Sequence, residues 1–262
     1  MEIINQIIKR KEEELKKRKQ GFFQSPSAEI EKAPFRTLLK KVQTTPFSII
    51  AETKRSSPST GILAPDYNPV AIARQYQAGG AAAISVLTES SFFLGSLQDL
   101  TSVKNAVSLP VLAKDFFIDP LQIEDAASAG ADIVLIILRI AGSRLLDLIE
   151  SAEKNGIEAL VEVHTPFELE TALSAITGKS HCILGINNRN LHTLQTDLST
   201  TFNLISQIKN DTIPVISESG ITNPDTIERL FSVGIRGALI GTHLMRAKNP
   251  SAEIKTLLRR IA

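Results

Sequence analysis

The stretch FSIIAETKRSSPS spans residues 47–59 and predicts a buried strand that runs into a polar turn. Its apolar run is followed by Glu52 and Lys54, and then by serine and proline. Residues two apart lie on the same face of a strand, so Glu52 and Lys54 point the same way. Ionised side chains in apolar surroundings are costly unless they are paired. The pair is therefore either an ion pair that closes the strand or one edge of an active site, and the ends of the other strands decide between these interpretations.

The same pattern of an apolar run, a polar turn and an amphipathic helix recurs along the chain. The predicted strands lie at 47–52, 82–88, 110–115, 131–138, 158–163, 182–187, 213–219 and 237–242. Most are continuously apolar, which is typical of parallel strands covered on both faces. The helices predicted between them lie at 68–78, 120–129, 143–155, from 165 onward, at 224–233 and from 249 to the end.

Eight such repeats predict an α/β fold, a single (β/α)8 TIM barrel. The alternative is a doubly wound open sheet. That fold usually carries a glycine-rich dinucleotide-binding turn after its first strand, and ETKRSSPS at this place is not such a turn. We expect one domain over 1–262, with an N-terminal helical extension at 1–45 and the barrel at 46–262. The elements predicted in the extension are a helix at 2–20, a loop at 21–34 around Pro26 and a short helix at 35–43.

Composition excludes several classes of partner. The 262 residues carry a net charge of +1 and are 43% hydrophobic, which gives no case for nucleic acid or an anionic membrane as a general partner. A single cysteine, Cys182, excludes an internal disulfide and is typical of a reducing compartment. The N-terminus lacks the pattern of a signal peptide, and no apolar run approaches a membrane span. We therefore expect a cytoplasmic protein, with a monomer as the default.

The chemistry of such a barrel lies at the carboxyl ends of its strands. Polar and ionisable residues are concentrated at the predicted strand exits, which are Glu52 and Lys54, Lys114-Asp115, Glu162, Asn187 and Arg189, Glu218-Ser219-Gly220, and Gly241-Thr242. Carboxylates and lysines sharing one mouth can provide an acid and a base near neutral pH. The cations indicate an anionic ligand, and the glycines of the last two loops favour a phosphate site there, to which Ser57 could add a hydroxyl.

The histidines and the cysteine predict no metal site, because they lack metal-ligand spacing. His164 either lines the mouth or belongs to the start of the helix at Thr165. His181 and His192 are interpreted as loop residues, and Cys182 as inert core. For His243, which follows the phosphate loop, a ligand-binding role is the less favoured interpretation. Three aspartates are interpreted as turn or cap residues, namely Asp66, Asp99 and Asp119.

Taken together, the strand-end motifs resemble the indole-3-glycerol phosphate synthase family. They are IAETKRSSPSTG, SVLTESSFFLGS, VLAKDFFIDP, LVEVHTP, GINNRNL, ISESGI and IGTHLMR, in that family's order and over nearly the whole chain. The resemblance implies a TIM barrel that acts on 1-(2-carboxyphenylamino)-1-deoxyribulose 5-phosphate in tryptophan biosynthesis. The implied reaction closes an indole ring with loss of carbon dioxide and water, and uses no metal or organic cofactor.

The resemblance also implies a role for each strand-end residue. Lys114 corresponds to the general acid and Glu162 to the group that transfers a proton during dehydration. Lys54 corresponds to the amine that contacts the substrate carboxylate and can act as a second acid. Residues that orient the substrate and the lysines are Glu52, Asn187, Arg189 and Glu218. Residues of the phosphate cradle and its wall are Ser57, Ser219, Gly220, Gly241 and Thr242. Residues of the apolar pocket for the anthranilate ring are Phe93, Phe116 and Leu191.

Two positions depart from the family pattern. Thr53 replaces an apolar residue and is expected to face outward. Thr242-His243 stands where an acidic residue and a serine are frequent in the family. This departure changes the side chains that the phosphate cradle offers, whereas the backbone N–H groups of the cradle are unaffected. Rival interpretations are a Schiff-base aldolase with Lys114 as nucleophile, a non-catalytic phosphosugar-binding barrel, and phosphoribosylanthranilate isomerase.

Overall fold

The structure is a computed structural model that describes residues 2–21, 35–58, 60–209 and 212–261. Most of the predicted loop at 21–34 lies outside these residues. The barrel strands are β1 (Ser48–Thr53), β2 (Ala83–Leu87), β3 (Val111–Lys114), β4 (Ile133–Ile137), β5 (Glu158–Val163), β6 (Cys182–Asn187), β7 (Val215–Glu218) and β8 (Gly237–Ile240). They coincide with the eight predicted strands and differ only at the ends.

These strands form a closed barrel in the order β1-β8-β7-β6-β5-β4-β3-β2, and every neighbouring pair is parallel. The strand β1 closes the ring, because Ile50 pairs with Leu239 on one side and with Ala83 on the other. The predicted (β/α)8 barrel is confirmed, and an open doubly wound sheet is excluded. A separate antiparallel hairpin pairs Ser56–Ser57 with Gly61–Ile62, directly after β1.

The hydrophobic core has two parts, which explains why the strands are apolar on both faces. Inside the barrel, residues such as Ile50, Leu112 and Leu160 are fully buried. On the outer face, alternate residues such as Ile49 and Val161 pack in the cluster that the surrounding helices share. Fully burying such a side chain stabilises the fold by about 1.5–3 kcal/mol.

The described α-helices are α1 (Glu2–Lys19), α2 (Leu38–Thr44), α3 (Pro69–Gly79), α4 (Leu97–Ala106), α5 (Pro120–Ser128), α6 (Leu138–Ala141), α7 (Leu145–Lys154), α8 (Pro166–Ile176), α9 (Ser199–Ile205), α10 (Pro224–Ser232), α11 (Thr242–Arg246) and α12 (Pro250–Leu258). Five of them begin with proline behind a side chain that caps the first turn, namely Asn68, Asp119, Thr165, Asn223 and Asn249. The sequence did not predict α4, α6, α9 and α11. Within the described segments, no helix combines the length and apolar character needed to cross a membrane.

The two helices that precede the barrel lie at opposite ends of it. At the amino ends of the strands, the buried Glu158 carboxylate accepts hydrogen bonds from Thr37 Oγ1 and from the Leu38 N–H at 2.8 Å, and Leu38 packs inside the barrel. At the carboxyl ends, α1 is held by ion pairs from Lys11 to Asp115 at 2.8 Å and from Lys19 to Asp119 at 2.8 Å, and by a pair from Arg18 to Asp125 at 3.1 Å. The helix α1 therefore lies beside the barrel mouth.

Candidate active site

The carboxyl ends of the strands surround a cavity of about 610 Å³ at the mouth of the barrel. Every candidate site residue predicted from the sequence lines this cavity: Glu52, Lys54, Ser57, Phe93, Lys114, Phe116, Glu162, Asn187, Arg189, Leu191, Glu218, Ser219, Gly220, Gly241 and Thr242. The structure thus brings together residues that lie far apart in the sequence.

Glu52 and Lys54 form the ion pair that the first interpretation of the opening stretch predicted, and both side chains line the cavity. Lys54 Nζ lies 2.5 Å from Glu52 Oε1, and the two side chains are 11% and 5% exposed. Burial alone raises the pKa of Glu52, but the charges of Lys54 and Lys114 outweigh it and hold that pKa below its ordinary value. At Gly241 a Cβ atom would collide with the Glu52 carboxylate and lie 3.0 Å from Lys54 Nζ, which explains glycine there.

Lys114 lies between two carboxylates in the same cavity. Its Nζ is 3.8 Å from Glu162 Oε2 and 3.6 Å from Glu218 Oε2, and both glutamate side chains are 1% exposed. These distances are longer than hydrogen bonds. Burial lowers the pKa of Lys114, but the neighbouring carboxyl groups, which also include Glu52, outweigh burial and raise that pKa above its ordinary value, so the amine is held as an ammonium.

The Glu218 carboxylate packs directly against the backbone of Gly185 in the neighbouring strand β6, which leaves no room for a side chain there. A Cβ atom at Gly185 would overlap Glu218 Oε1 and lie 3.3 Å from Leu160. We expect Gly185→Ala to move the Glu218 carboxylate and to reduce kcat/KM by about 10- to 100-fold, as for a catalytic group displaced by about 1 Å. Circular dichroism checks the fold, and the double variant with Glu218→Asp, which frees space, should recover part of the activity. A folded Gly185→Ala enzyme with unchanged kcat/KM would show that this packing does not matter.

An apolar wall lines another side of the cavity. The ring centroids of Phe93 and Phe116 lie 6.1 Å apart, and the ring planes are tilted by 39°. Phe116 and Leu191 also pack against the core inside the barrel. The helix α1 adds Ile3, Ile4 and Ile7 to the cavity lining. Sequence reasoning missed these isoleucines as site residues because their apolar face signals only a packed helix and not what it packs against.

Sequence reasoning also missed Glu89, which shapes the loop that carries Phe93. Its buried carboxylate accepts hydrogen bonds from the backbone N–H groups of Ser91 at 2.8 Å, Phe92 at 2.7 Å and Phe93 at 2.9 Å. Such bonds fix the loop, and an acidic residue followed by serines and aromatic residues was the available signal. Asp115 has a similar role for Phe116, because it accepts a hydrogen bond from that residue's N–H at 2.7 Å.

The loops after β7 and β8 form one end of the cavity. The glycines of these two loops, Gly220 and Gly241, are those from which the sequence predicted a phosphate site. Ser219 and Gly220 have φ values of 66° and 84°, so the backbone turns through the left-handed region there. Gly241 precedes α11, whose first residue is Thr242 and therefore has an N–H without an acceptor inside the helix. Ser57 adds a hydroxyl that lies 2.6 Å from the Thr60 hydroxyl.

Asn187 and Arg189 border the cavity at the end of β6. Asn187 Oδ1 accepts a hydrogen bond from the Arg189 N–H at 2.9 Å, and Arg189 Nη1 donates to the Leu194 carbonyl at 3.0 Å. The arginine is thereby held by its own loop while its charge still lowers the pKa of Glu52.

His164 lies between two carboxylates, which settles a question that the sequence left open. Its ring Nε2 is 3.2 Å from Glu162 Oε1, and its ring Nδ1 is 3.2 Å from Glu168 Oε2. The backbone N–H of His164 also donates a hydrogen bond to Glu168 Oε2 at 2.7 Å. Burial lowers the pKa of His164, but the two carboxylates outweigh burial and raise that pKa to about 9. His164 therefore takes part both in the start of α8 and in the surroundings of Glu162.

The raised pKa of His164 predicts that stability falls at alkaline pH. The folded protein binds this proton more tightly than the unfolded chain, so the contribution is fully present below the ordinary pKa of 6.5 and is lost as the pH rises through about 9. We expect the free energy of unfolding in urea to fall over this range by about 1–3 kcal/mol more in the native protein than in His164→Asn. The same pH dependence in both proteins would contradict this prediction.

The remaining histidines and the cysteine lie at less central positions. His243 Nε2 is 2.7 Å from Glu253 Oε1 at the rim of the cavity, and His192 is an exposed rim residue. Burial raises the pKa of the Cys182 thiol to about 12, as expected for an inert core residue. Across the described segments, no group of three or more His, Cys, Asp or Glu side chains is arranged to hold a metal ion.

Comparison with known proteins finds one family over nearly the whole chain. The family model for indole-3-glycerol phosphate synthase matches residues 4–257. A protein of that name from Desulfosudis oleivorans is 41% identical over 267 residues, covering 98% of each chain, and one from Shouchella clausii is 44% identical over 216 residues, covering 81% of this chain and 83% of its own.

Solved structures show the same fold at low identity. One of 3-hexulose-6-phosphate synthase has a TM-score of 0.65 and 17% identity, and covers 82% of this chain and 100% of its own. That likeness shows the barrel alone. From the family match and the two relatives, the chain belongs to the indole-3-glycerol phosphate synthase family.

Proposed function

We propose that the chain carries out its family's reaction with Lys114 as general acid, Glu162 as the base of dehydration and Lys54 as the contact for the substrate carboxylate. The substrate is 1-(2-carboxyphenylamino)-1-deoxyribulose 5-phosphate, and the product is indole-3-glycerol phosphate in tryptophan biosynthesis. The observation that carries the residue assignment is the placement of Lys114 between Glu162 and Glu218, in one cavity with the Lys54–Glu52 pair.

The cavity matches the three chemical parts of this substrate. The aromatic ring fits against Phe93 and Phe116, which form the apolar wall together with α1. The phosphate, with a charge of about −1.5 to −2 near neutral pH, fits the loops at Gly220 and Gly241. The carboxylate then lies towards Lys54, whose charge can replace part of its lost hydration.

Ring closure uses Lys114 as an acid. As the aryl carbon that bears the carboxylate attacks the ketone carbon, a carbon–carbon bond forms and negative charge develops on the carbonyl oxygen. The Lys114 ammonium donates a proton to that oxygen, which becomes a hydroxyl. The carboxylate then leaves as carbon dioxide, and the electron pair of its broken bond restores the aromatic ring.

Dehydration uses Glu162 as a base. Lys54, acting as a second acid, donates a proton to the new hydroxyl, which leaves as water, and a proton is lost from the methylene carbon next to nitrogen. Glu162 is ionised and therefore able to accept that proton, because contact with His164 and the charge of Lys114 outweigh burial and lower its pKa. Asn187, Arg189, Glu52 and Glu218 hold the substrate and the lysines in place.

An indole-fluorescence assay tests this function directly. Purified protein mixed with the carboxyphenylamino-deoxyribulose phosphate should produce indole fluorescence and release carbon dioxide. Borohydride should trap no covalent adduct, whereas an adduct would favour a Schiff-base aldolase. Turnover without carbon dioxide would favour an isomerase, and binding without turnover would favour a phosphosugar-binding barrel.

We also propose that the enzyme acts as a cytoplasmic monomer. The lone cysteine is buried and 4% exposed, which fits a compartment where disulfides do not form. Light scattering after size-exclusion chromatography should give the mass of a single chain, and a dimer mass would reject the monomer.

A further inference from the structure

Glu162 and Glu218 form a buried carboxylate pair whose proton is not placed by the lysine between them. Lys114 Nζ is 3.8 Å from one carboxylate and 3.6 Å from the other, and the two side chains are equally buried. Both carboxylates lie within 3.8 Å of the same Nζ, and burial together with the charge of Glu162 raises the pKa of Glu218, so one carboxyl of the pair tends to hold a proton. A cation at nearly equal distances stabilises either arrangement and does not choose between them.

His164 breaks this symmetry, because its contact is with Glu162. The imidazole Nε2 lies 3.2 Å from Glu162 Oε1, and Asn187 also stabilises the charged form of Glu162. The surroundings of Glu218 include the Gly185 backbone and Leu160 on one side. An imidazolium beside one member of the pair favours ionisation of that member.

The cationic form of His164 is stabilised by a second carboxylate, on the side of the ring away from Glu162. Glu168 of α8 contacts the second ring nitrogen at 3.2 Å, and Arg139 of α6 lies 2.7 Å from Glu168. These side chains form a chain of alternating charge, Glu162–His164–Glu168–Arg139, which runs from the cavity towards the outside of the barrel. A carboxylate oxygen lies 3.2 Å from each ring nitrogen, and two such neighbouring charges favour the doubly protonated imidazolium.

We propose that His164 is a positioning residue that keeps Glu162 ionised and leaves the proton of the pair on Glu218. This inference deepens the proposed function and rests on it for the role of Glu162 as a base. The directions of the pKa shifts agree, because contact with His164 lowers the pKa of Glu162 while burial and the charge of Glu162 raise the pKa of Glu218. The free base is thereby available at neutral pH beside a neutral carboxyl that can donate a hydrogen bond.

Neutron diffraction on the ligand-free protein at about pH 7 tests the proton positions without any activity measurement. We expect deuterium on both ring nitrogens of His164 and on Glu218, and none on Glu162. Deuterium on Glu162, or on a single nitrogen of His164, would overturn the inference. In His164→Asn we expect deuterium to be shared between Glu162 and Glu218, and deuterium confined to Glu218 in that variant would also overturn the inference.

The pH profile of kcat/KM tests the consequence for catalysis. In His164→Asn we expect the acid limb to move up by about one pH unit or more, with activity recovering at higher pH to within about threefold of the native enzyme. A merely structural role would lower activity equally at all pH values. If the neutron result holds and the limb does not move, the base role of Glu162 fails while its ionisation by His164 stands.

Two further variants make the test robust. Glu168→Gln keeps the imidazole of His164 but removes the carboxylate charge beside its second ring nitrogen. It should therefore shift the acid limb of the kcat/KM profile in the same direction by a smaller amount. This variant replaces His164→Asn if that variant does not fold. His181→Asn is the matched control, because His181 contacts Glu153 at 3.7 Å at the start of β6, far from the mouth. Its profile should match that of the native enzyme, and an equal shift in it would overturn the inference.

Discussion

Lys114→Ala is expected to reduce kcat by about 100-fold or more, the usual consequence of losing a general acid. The ammonium lies between Glu162 and Glu218 inside the cavity, so its removal takes away the proton donor and leaves two buried carboxylates facing each other. Indole fluorescence under saturating substrate measures the loss. We expect kcat to fall far more than KM changes, because the proton is transferred in the transition state.

Lys40→Ala is the matched control for this prediction. Lys40 is exposed on α2, at the amino ends of the barrel strands, and its loss should leave kcat unchanged. A Lys114→Ala enzyme that is folded and turns over at a near-native rate would remove Lys114 from the mechanism.

Glu162→Gln is expected to slow a step after ring closure by about 100-fold, because the amide cannot accept the proton that dehydration releases. Carbon dioxide should appear in a rapid first turnover while indole fluorescence lags behind it. Rapid quench with separate detection of the two products measures this difference.

Glu170→Gln provides the comparison, because Glu170 is exposed on α8. In that variant carbon dioxide and indole should appear together, as in the native enzyme. If they also appear together and at native rates in Glu162→Gln, another group must carry out the dehydration.

The barrel was predictable because its strands differ from its helices in ways that are local in sequence. Continuous apolar runs such as FSIIA mark strands buried on both faces, and pairs such as Asn68-Pro69 mark helix starts. The helix predicted at 143–155 begins later, at Leu145, because a 3₁₀ turn at Gly142–Arg144 precedes it. The helix α9 was missed because it is short and its first turn contains two β-branched threonines.

The candidate site was predictable where residues follow strand ends, since parallel strands deliver their carboxyl ends to one mouth. The parts that were not predictable depend on contacts between distant segments. Ile7 becomes a lining residue because Lys11 pairs with Asp115, more than 100 positions further along the chain, and holds α1 at the mouth. Likewise, the sequence shows His164 beside Thr165, but the carboxylates on both of its ring nitrogens are visible only in the fold.

A crystal structure of Lys114→Ala with bound substrate would show whether the three proposed residues act on a single molecule. We predict the anthranilate ring between Phe93 and Phe116, the phosphate at the Gly220 and Gly241 loops, and the ketone oxygen beside the space left by the missing amine. The substrate carboxylate should lie within contact of Lys54. A substrate bound away from this cavity, or inside it with its ketone directed away from position 114, would contradict the proposed mechanism.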